Sequence, residues 1–417
     1  MSLLPASHPI LSCAEAKSWE SGLLKDEAAE WAAMQRAGGA IARTLLEDCH
    51  EIGGLPGSAR LLVLAGKGHN GGDALLAAKA LYKTHPRVRV DVLLCFGEDA
   101  LRPLAKRSLD ELRQAGSGRV RLRDFAGLKA ELADCDVCLD GVFGFQFRPP
   151  MDGATAEILA WVNTHPRIKV RAAVDLPSGL GDENAGTVFR ADFTYATGIV
   201  KTPLIAPANA AFVGRVRYLD LGFFPVTRVD SNALKRVLLP SLLAPLARLR
   251  PAQTDKRTYG HLLVVGSSRN YPGAVLMTVQ AALRSGVGLL TAFVPDSLVP
   301  EYAARFPEAM WVGVPGTPAG GISAAALPLL REKLPRATAL VIGPGLGNEP
   351  ETLRVVSELV RPANLPLVLD ADALRPEVRA AGRDKRVLIT PHAGEMARLE
   401  GRGGCPQAPL SVGSGSN

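Results

Sequence analysis

The stretch LLVLAGKGHNGGDALLAAKALYKT, residues 61–84, joins a short apolar run, a glycine-rich turn and an alanine- and leucine-rich segment. Residues 61–65 are typical of a buried strand, and residues 74–84 favour a helix. A strand that passes through a glycine turn into a helix is the repeating unit of parallel sheets. The stretch therefore predicts an α/β fold, in which ligands bind beyond the carboxyl ends of the strands.

The same alternation of apolar runs and helical segments continues on both sides of this stretch. A helical pattern without proline at residues 11–48 predicts one or two helices ahead of it. Further strands are predicted at residues 88–95, 137–140, 170–174 and 191–197. Together they predict a Rossmann-like, three-layer αβα domain with helices on both faces of a parallel sheet.

The alternation stops at residues 222–260, a segment rich in proline and basic residues that predicts a linker with an entry helix and no strand. It then restarts, with a helix predicted at residues 273–285 and strands at residues 261–266, 289–294, 338–342, 366–370 and 386–390. We therefore predict two α/β domains, at residues 1–225 and 226–400. The Gly/Ser/Pro-rich residues 401–417 predict a disordered tail.

The composition indicates a folded protein and argues against nucleic-acid binding, membrane binding and a cysteine metal site. Of the 417 residues, 47% are hydrophobic and 21% are charged, which excludes global disorder. The net charge of +7 is spread as single residues, which favours a solvated basic surface over a nucleic-acid or membrane partner. Cys135 and Cys138 form a Cys-x-x-Cys pair without further Cys or His nearby, so we expect buried thiols rather than a metal site.

The amino-terminal segment has no basic residue before Lys17 and its apolar stretches are interrupted by proline. We therefore expect no signal peptide and a cytoplasmic location. No run of about 18 apolar residues predicts a membrane-spanning helix. We expect the chain to act on a small molecule, as a homo-oligomer, without nucleic-acid or membrane partners.

Three loops after predicted strands carry polar side chains: AGKGHNGGDA (65–74), DGVFGFQFRPP (140–150) and VDLPSGLGDENAG (174–186). Because the carboxyl ends of parallel strands share one edge of a sheet, these loops should converge. Glycines in the first loop (Gly66, Gly68, Gly71, Gly72) either serve the turn alone or, with positive φ, bring backbone N–H groups to a phosphate.

Asp140 and Asp175 each end an apolar strand. Such carboxylates serve either as helix caps and turn residues or, with an amide and a hydroxyl, as ligands of a hard cation. The residues alone leave both interpretations open.

Four motifs in order, MQRAG (34–38), AGKGHNGGDA (65–74), DGVFGFQFR (140–148) and VDLPSGL (174–180), resemble the NAD(P)H-hydrate epimerase domain, also called the YjeF N-terminal domain. The resemblance spans about residues 10–225. That family interconverts the R and S forms of NAD(P)HX, the hydrated form of NADH or NADPH.

The resemblance implies potassium ligands Asn70, Asp140 and Ser178, and Asp175 as the acid/base group for C6 of the reduced ring. One departure is visible, because the family has Asn-Asn where this chain has His69-Asn70. The resemblance implies a substrate site lined by His69, Asn70, Gly71, Gly72, Asp73, Gly144, Phe145, Gln146, Phe147, Arg148, Pro149, Pro150 and Asp175.

A second set of motifs lies at residues 259–274, 341–348, 367–374 and 388–399 (LITPHAGEMARL). His392 at a strand end is either structural or a ligand contact, and Glu395 suits the first turn of a helix. Collectively the motifs resemble the ribokinase-like ADP-dependent NAD(P)H-hydrate dehydratase domain. The resemblance implies Mg²⁺ with ADP or ATP, and contacts to the S-form hydrate from Ala274, Gly345 or Gly347, and His392.

The second half departs from its family in two respects. Arg375 follows DADAL where the family has Asn, and residues 400–417 contain neither the Lys-Gly nucleotide segment nor the Gly-Thr-Gly-Asp loop with the catalytic Asp. We therefore expect an incomplete second domain without dehydratase activity, with an unpaired strand edge and uncovered apolar surface.

Three functions compete at this point. A metabolite-repair enzyme with a working epimerase half is favoured. A non-catalytic nucleotide-binding or scaffold module would not need Asn70, Asp140, Asp175 and Ser178 together. A small-molecule kinase, suggested by the second half, would need a glycine-rich anion hole with a catalytic Asp near the carboxyl terminus.

Overall fold

The computed structural model describes residues 7–183, 186–224, 235–247 and 249–400. These residues belong to two compact units, Met1–Arg248 and Leu249–Asn417. The strands of the first unit are β1 (Ser7–Leu11), β2 (Arg60–Ala65), β3 (Arg89–Leu94), β4 (Val120–Arg123), β5 (Cys135–Gly141), β6 (Ile168–Val174), β7 (Phe193–Thr197), β8 (Val200–Lys201), β9 (Arg215–Leu219) and β10 (Arg236–Leu238). Its helices are α1 (Cys13–Leu23), α2 (Glu27–Glu51), α3 (His69–Leu81), α4 (Pro103–Gly116), α5 (Phe125–Glu131), α6 (Gly153–Thr164) and α7 (Ala210–Val213).

A seven-stranded sheet in the order β4-β3-β2-β5-β6-β7-β9 forms the centre of the first unit, and all of its pairings are parallel. Alternate side chains of β2 pack on opposite faces: Leu61 and Val63 join a core with α2, α3 and α4, whereas Leu62 and Leu64 join one with α5 and α6. The unit therefore has the predicted three layers, and β2 is covered by helices on both faces of the sheet.

A small second sheet, in the order β10-β1-β8, lies in the same unit. Strand β1 pairs antiparallel with β10 and parallel with β8. The prediction of no strand within residues 222–260 was wrong, because β10 spans only three residues and lacks a pattern of its own. This pairing places residues beyond 225 in the first unit, which is divided from the second at Arg248.

The second unit repeats the parallel architecture. Its strands are β11 (His261–Val265), β12 (Leu289–Pro295), β13 (Met310–Val314), β14 (Ala339–Ile342), β15 (Leu367–Leu369) and β16 (Val387–Ile389). Its helices are α8 (Gly273–Arg284), α9 (Val299–Arg305), α10 (Leu327–Lys333), α11 (Pro350–Val360), α12 (Pro376–Ala381) and α13 (Ala393–Leu399). The sheet order is β13-β12-β11-β14-β15-β16, with parallel pairs throughout.

Alternate residues of β11 again divide between two apolar cores, Leu263 and Val265 on one face and Val264 on the other. Two parallel sheets with helices confirm the predicted α/β fold class. Within the described residues β16 is an edge strand, and its Leu388 is 61% exposed. The predicted tail at 401–417 lies outside the described residues.

The cysteine pair behaves as expected. Cys135 and Cys138 are free and buried, and burial raises the pKa of the Cys135 thiol to about 12. In the described ranges, no group of three or more His, Cys, Asp or Glu side chains could hold a metal ion. No helix in those ranges has the length and apolar character needed to cross a membrane.

Candidate functional site

A cavity of about 650 Å³ lies at the carboxyl ends of the central strands of the first unit. The loops after β2, β5 and β6 all line it, as their positions in a parallel sheet predict. Of the predicted site residues, the lining includes His69, Asn70, Asp73, Gly144, Phe145, Gln146, Phe147, Arg148, Pro150 and Asp175. Gly71, Gly72 and Pro149 are not lining residues, and Asp140 and Ser178 are buried below the cavity wall.

The glycines of the loop after β2 serve close packing. Gly66, Gly68, Gly71 and Gly72 do not have positive φ. A Cβ on Gly66 would lie 1.9 Å from the Val142 carbonyl oxygen, and one on Gly71 would lie 2.2 Å from the Gly66 carbonyl oxygen. Glycine at these two positions therefore lets the loop after β2 pack against the residue that follows β5, and the start of α3 pack against that loop.

Helix α3 begins at this close contact. Its N-cap residue, Gly68, provides no side-chain acceptor for the N–H groups of the first turn. Lys67, Gly68, His69 and Asn70 all line the cavity. Because a helix amino terminus carries a partial positive charge, this end of the cavity suits an anion.

Asp140 is completely buried at the end of β5. Its carboxylate accepts hydrogen bonds from the Ser178 hydroxyl (2.6 Å) and the backbone N–H groups of Ser178 (2.7 Å) and Val142 (3.2 Å). Burial raises the pKa of Asp140 to about 6, although the bonds from Ser178 lower it. Within the described residues, no lysine or arginine forms an ion pair with this carboxylate.

The three predicted potassium ligands meet around Phe143. The Asn70 side-chain amide donates to the Phe143 carbonyl (2.9 Å), and the Phe143 N–H donates to the Ser178 hydroxyl (2.8 Å). The group thus combines a carboxylate, an amide, a hydroxyl and a backbone carbonyl, which are the oxygen donors that hard cations prefer. A cation here would offset the buried charge of Asp140, so the residues fit a monovalent or divalent hard cation.

Asp175 follows β6 and lines the cavity, with only 4% of its surface exposed. Its φ is +66°, a left-handed conformation that is uncommon outside glycine and that clusters at functional sites. The Asp175 carboxylate accepts hydrogen bonds from the Lys201 ammonium and from the Thr197 hydroxyl (3.1 Å). This arrangement fixes an ionisable group at the cavity wall.

Lys201 is a functional residue that sequence analysis missed. It is fully buried in β8, pairs with Asp175, donates to the Thr197 carbonyl (3.3 Å), and lies 4.8 Å from the centre of the Phe145 ring. A buried lysine is costly unless it is paired. The sequence feature that could have indicated a buried lysine is its position as the single charged residue in the apolar stretch YATGIVKTPL.

Glu20, on α1, lines the cavity and was also missed by sequence analysis. Burial, reinforced by the charge of Asp175, raises the pKa of Glu20 to about 7, although Lys201 opposes this. Its sequence context is an amphipathic helix, where a glutamate is ordinarily at the surface. Glu20 lines the cavity because α1 packs beside it, and the sequence pattern does not show this packing.

Asp73, on the first turns of α3, is 9% exposed, and its Oδ1 is buried without a hydrogen-bond partner. Burial raises the pKa of Asp73 well above the ordinary range, and the neighbouring carboxylates Asp175 and Glu20 raise it further. Lys201 acts in the opposite direction. Asp73 is therefore a carboxyl group that keeps its proton to unusually high pH.

Aromatic and basic side chains form another wall of the cavity. The Phe143 ring lies 5.8 Å from the Phe96 ring and 4.6 Å from the Phe147 ring, measured between centroids. The Lys67 ammonium lies 5.6 Å from the Phe96 ring centre, and Arg102 and Arg148 also line the cavity. Flat apolar faces beside cationic groups suit the rings and phosphates of a nucleotide.

His69, the departure from the family pattern, lies at the cavity rim. Its Nε2 lies 3.4 Å from a Glu30 carboxylate oxygen, and 43% of its side chain is exposed. The residue thus contacts α2 across the cavity opening.

In the second unit, the predicted residues lie at the carboxyl ends of neighbouring strands. Gly345 and Gly347 follow β14 and have positive φ, of +70° and +79°. A Cβ on Gly345 would lie 2.4 Å from the Tyr271 carbonyl oxygen and 3.3 Å from the Ala274 Cβ. The glycine loop therefore lies close to the start of α8.

His392 follows β16, next to β15 in the sheet. Its Nδ1 accepts hydrogen bonds from the N–H groups of Gly394 (3.1 Å) and Glu395 (3.4 Å) at the start of α13. The Glu395 carboxylate accepts from the His392 N–H (2.9 Å), which completes a capping box. His392 thus has a structural role, and its side chain is 70% exposed.

Two family models match the chain: YjeF-related protein N-terminus over residues 31–203, and NAD(P)H-hydrate dehydratase over residues 262–408. The relative named bifunctional NAD(P)H-hydrate repair enzyme Nnr from Moorella thermoacetica is 35% identical over 82% of this chain and 66% of its own length. Its namesake from Gloeobacter violaceus is 35% identical over 94% of this chain and 75% of its own length. The chain thus spans about two thirds to three quarters of these relatives.

Among solved structures, the ADP/ATP-dependent NAD(P)H-hydrate dehydratase of Bacillus subtilis, co-crystallised with ATP and Mg²⁺, is 29% identical to this chain. The match covers 37% of this chain and 53% of that protein, with a TM-score of 0.29.

Proposed function

The chain belongs to the family of bifunctional NAD(P)H-hydrate repair enzymes, and from this membership we propose that its first unit interconverts R- and S-NAD(P)HX. One observation carries the proposal: Asp175, held by buried Lys201, lines a cavity on which the three motif loops converge. A cavity of about 650 Å³ lies within the range of small-molecule sites.

The walls of the cavity offer surfaces that would suit the pyrophosphate and the bases of the dinucleotide. The amino terminus of α3, with Lys67, Arg102 and Arg148, would bind the pyrophosphate, because both the helix end and the basic side chains attract anions. The rings of Phe96, Phe143 and Phe147 would contact the flat faces of the bases. These contacts would place C6 of the reduced ring near the carboxyl groups.

Asp175 is the proposed acid/base group. It is buried, it is accessible from the cavity, and its Oδ1 is fixed by Lys201 and Thr197. A carboxylate in a fixed orientation can transfer a proton to or from a bound substrate without first reorganising.

We also propose that Asn70, Asp140 and Ser178 hold a potassium ion. The ion would supply the positive charge that buried Asp140 lacks, and it would order the loops that meet at Phe143. The protein side chains, not the ion, carry the proton-transfer step.

For the second unit we propose a binding surface for S-NAD(P)HX, formed by Ala274, Gly345, Gly347 and the segment at His392. The contact between the glycine loop and α8 supports it. In relatives of this family the reaction would use Mg²⁺ with ADP or ATP.

The direct test of the epimerase proposal is incubation of the chain with pure R-NADHX, in potassium and in sodium buffer, with the S form quantified by chromatography. Conversion that is faster in potassium is expected. Binding of NADHX without conversion would favour the alternative of a non-catalytic nucleotide-binding module.

Two further measurements use the same sample. Light scattering tests whether the chain forms the expected homo-oligomer. Addition of ADP with Mg²⁺ tests whether the second unit converts S-NADHX to NADH.

A further inference from the structure

Four ionisable side chains from separate elements are electrostatically coupled at one end of the cavity: Glu20, Asp73, Asp175 and Lys201. The three carboxyl groups line the cavity, whereas Lys201 is completely buried behind it. Lysine provides one positive charge for three carboxyl groups. Keeping all three ionised in this buried space would be costly, so the cluster favours retention of a proton.

The contacts favour Asp73 over Asp175 as the group that holds this proton. Lys201 and Thr197 donate hydrogen bonds to Asp175, which stabilise its negative charge. The Oδ1 atom of Asp73 has no partner, although it is buried beside the cavity. A protonated carboxyl group at Asp73 could donate a hydrogen bond to a bound substrate. The buried Oδ1 would then have a hydrogen-bond partner.

We propose that Asp73 is a second catalytic residue of the epimerase site, which shares one exchangeable proton with Asp175, so that each carboxyl group serves one face of C6. This inference rests on the proposed epimerase function and adds the missing second acid/base group. Glu20 and Lys201 are positioning residues that determine which of the two carboxyl groups carries the proton.

Electrostatics support this division of roles. Burial raises the pKa of Asp73 well above its ordinary value, and the charges of Asp175 and Glu20 raise it further. The groups that act on Asp73 come from three other elements: Glu20 on α1, Asp175 after β6, and Lys201 on β8, which alone opposes the rise. The raised pKa and the unpartnered Oδ1 both favour Asp73 as the group that holds the proton.

The reaction balances with these two groups. In R-NAD(P)HX, C6 carries the added hydroxyl and is bonded to the ring nitrogen. Asp73 protonates the hydroxyl, the C6–O bond breaks with its electron pair on oxygen, and water leaves as the nitrogen lone pair forms a C6=N bond. Water then adds to the other face of C6, the C6=N pair returns to nitrogen, and Asp175 accepts the proton that the added water loses.

No oxidant or reductant is needed, since one proton enters and one leaves. In the reverse direction the roles exchange, with Asp175 as donor and Asp73 as acceptor. The scheme requires the C6 oxygen to be replaced by solvent oxygen in each inversion.

The test uses Asp73→Asn, which keeps the size of a protonated Asp but cannot transfer the proton. With R-NADHX we expect kcat to fall about 100-fold or more in both directions, with KM changed only severalfold. Asp73→Glu should recover part of kcat. Asp110→Asn, the same substitution on an exposed residue of α4, is the control and should retain wild-type kcat.

The pH profile separates catalysis from folding. Wild-type kcat/KM should fall as pH rises through the pKa of Asp73, because the donor loses its proton. Glu20→Gln removes a like charge, so this fall should move to lower pH, by on the order of 1 unit. If Asp73→Asn fails to fold, the shift of the pH profile in Glu20→Gln decides whether Asp73 is the proton donor.

Mass spectrometry in H₂¹⁸O provides an independent readout. One ¹⁸O should enter C6 per enzymatic inversion, above the spontaneous exchange measured without enzyme. Inversion without ¹⁸O, or full activity of Asp73→Asn, would overturn the second acid/base role while leaving the epimerase function intact. Failure of the wild-type chain to interconvert the two forms would instead overturn the proposed function itself.

Discussion

The carboxyl ends of the two parallel sheets differ in how their polar groups are partnered. In the first unit, Asp73, Asp140 and Asp175 are all buried at the end of the sheet, and Lys201 forms an ion pair with Asp175. In the second unit, the predicted residue His392 is mostly exposed and caps a helix. Both ends carry family motifs, and among the described residues the carboxyl groups with raised pKa values lie in the first unit.

This contrast matters because perturbed ionisable groups in a cleft indicate chemistry more directly than a matched motif does. The raised pKa values of Glu20 and Asp73 arise from burial first and from neighbouring charge second. His392, by contrast, satisfies the amino terminus of α13, a role that stabilises the fold whether or not it contacts a ligand. Substitutions in the two units should therefore fail in different ways.

The largest expected effect comes from breaking the buried ion pair of the first unit. Lys201→Met should destabilise that unit by about 3–5 kcal/mol, because it leaves the charge of Asp175 buried without compensation. Hydrogen exchange followed by mass spectrometry, with peptides from each unit, measures this loss locally. The double variant Lys201→Met/Asp175→Asn should recover part of the stability, and no recovery would show that Lys201 stabilises by packing alone.

Asp175→Asn tests the chemistry at the same position. Since Asn keeps the shape of the side chain but cannot transfer a proton, kcat should fall about 100-fold or more while KM stays near the wild-type value. Steady-state rates with R-NADHX provide the measurement. A raised KM with unchanged kcat would make Asp175 a binding group and would contradict the acid/base assignment.

Asp140→Ala tests the proposed cation. Removal of the buried carboxylate should lower epimerase activity sharply and abolish the difference between potassium and sodium buffer. The matched control is Cys135→Ser with Cys138→Ser on the same strand, which should leave the potassium response intact. A variant at Asp140 that still responds to potassium would show that the ion binds elsewhere.

The fold of both units could be predicted because each central strand is a continuous apolar run with glycine or polar residues after it. Strands β2, β5, β6, β11 and β14 all lie where their apolar runs predict. Two of the missed strands are short and offer little apolar pattern: β4 reads VRLR with no fully buried residue, and β8 has two residues. Strands of this kind form because they pair with neighbouring strands in the sheet. The local sequence pattern gives no information about those neighbours.

The site could be predicted only in part, for a related reason. Asp73, Asp140 and Asp175 follow or flank apolar strands, so parallel topology alone brings them to one edge. Glu20 and Lys201 reach the same place through α1 and the small sheet, neither of which has a motif in the sequence. Their contribution depends on burial, and burial follows from tertiary packing.

The smallest expected effect lies in the second unit and completes the comparison. His392→Ala removes the acceptor for the N–H groups of Gly394 and Glu395, and loss of an N-cap costs about 1 kcal/mol. His392→Asn, which supplies another good N-cap acceptor, should restore the stability of α13. Hydrogen exchange of peptides spanning residues 387–400 measures both variants, and epimerase rates should match the wild type. If His392→Ala destabilised its unit as much as Lys201→Met destabilises the first unit, the two residues would contribute equally to stability. The contrast between the two sheet ends would then be wrong.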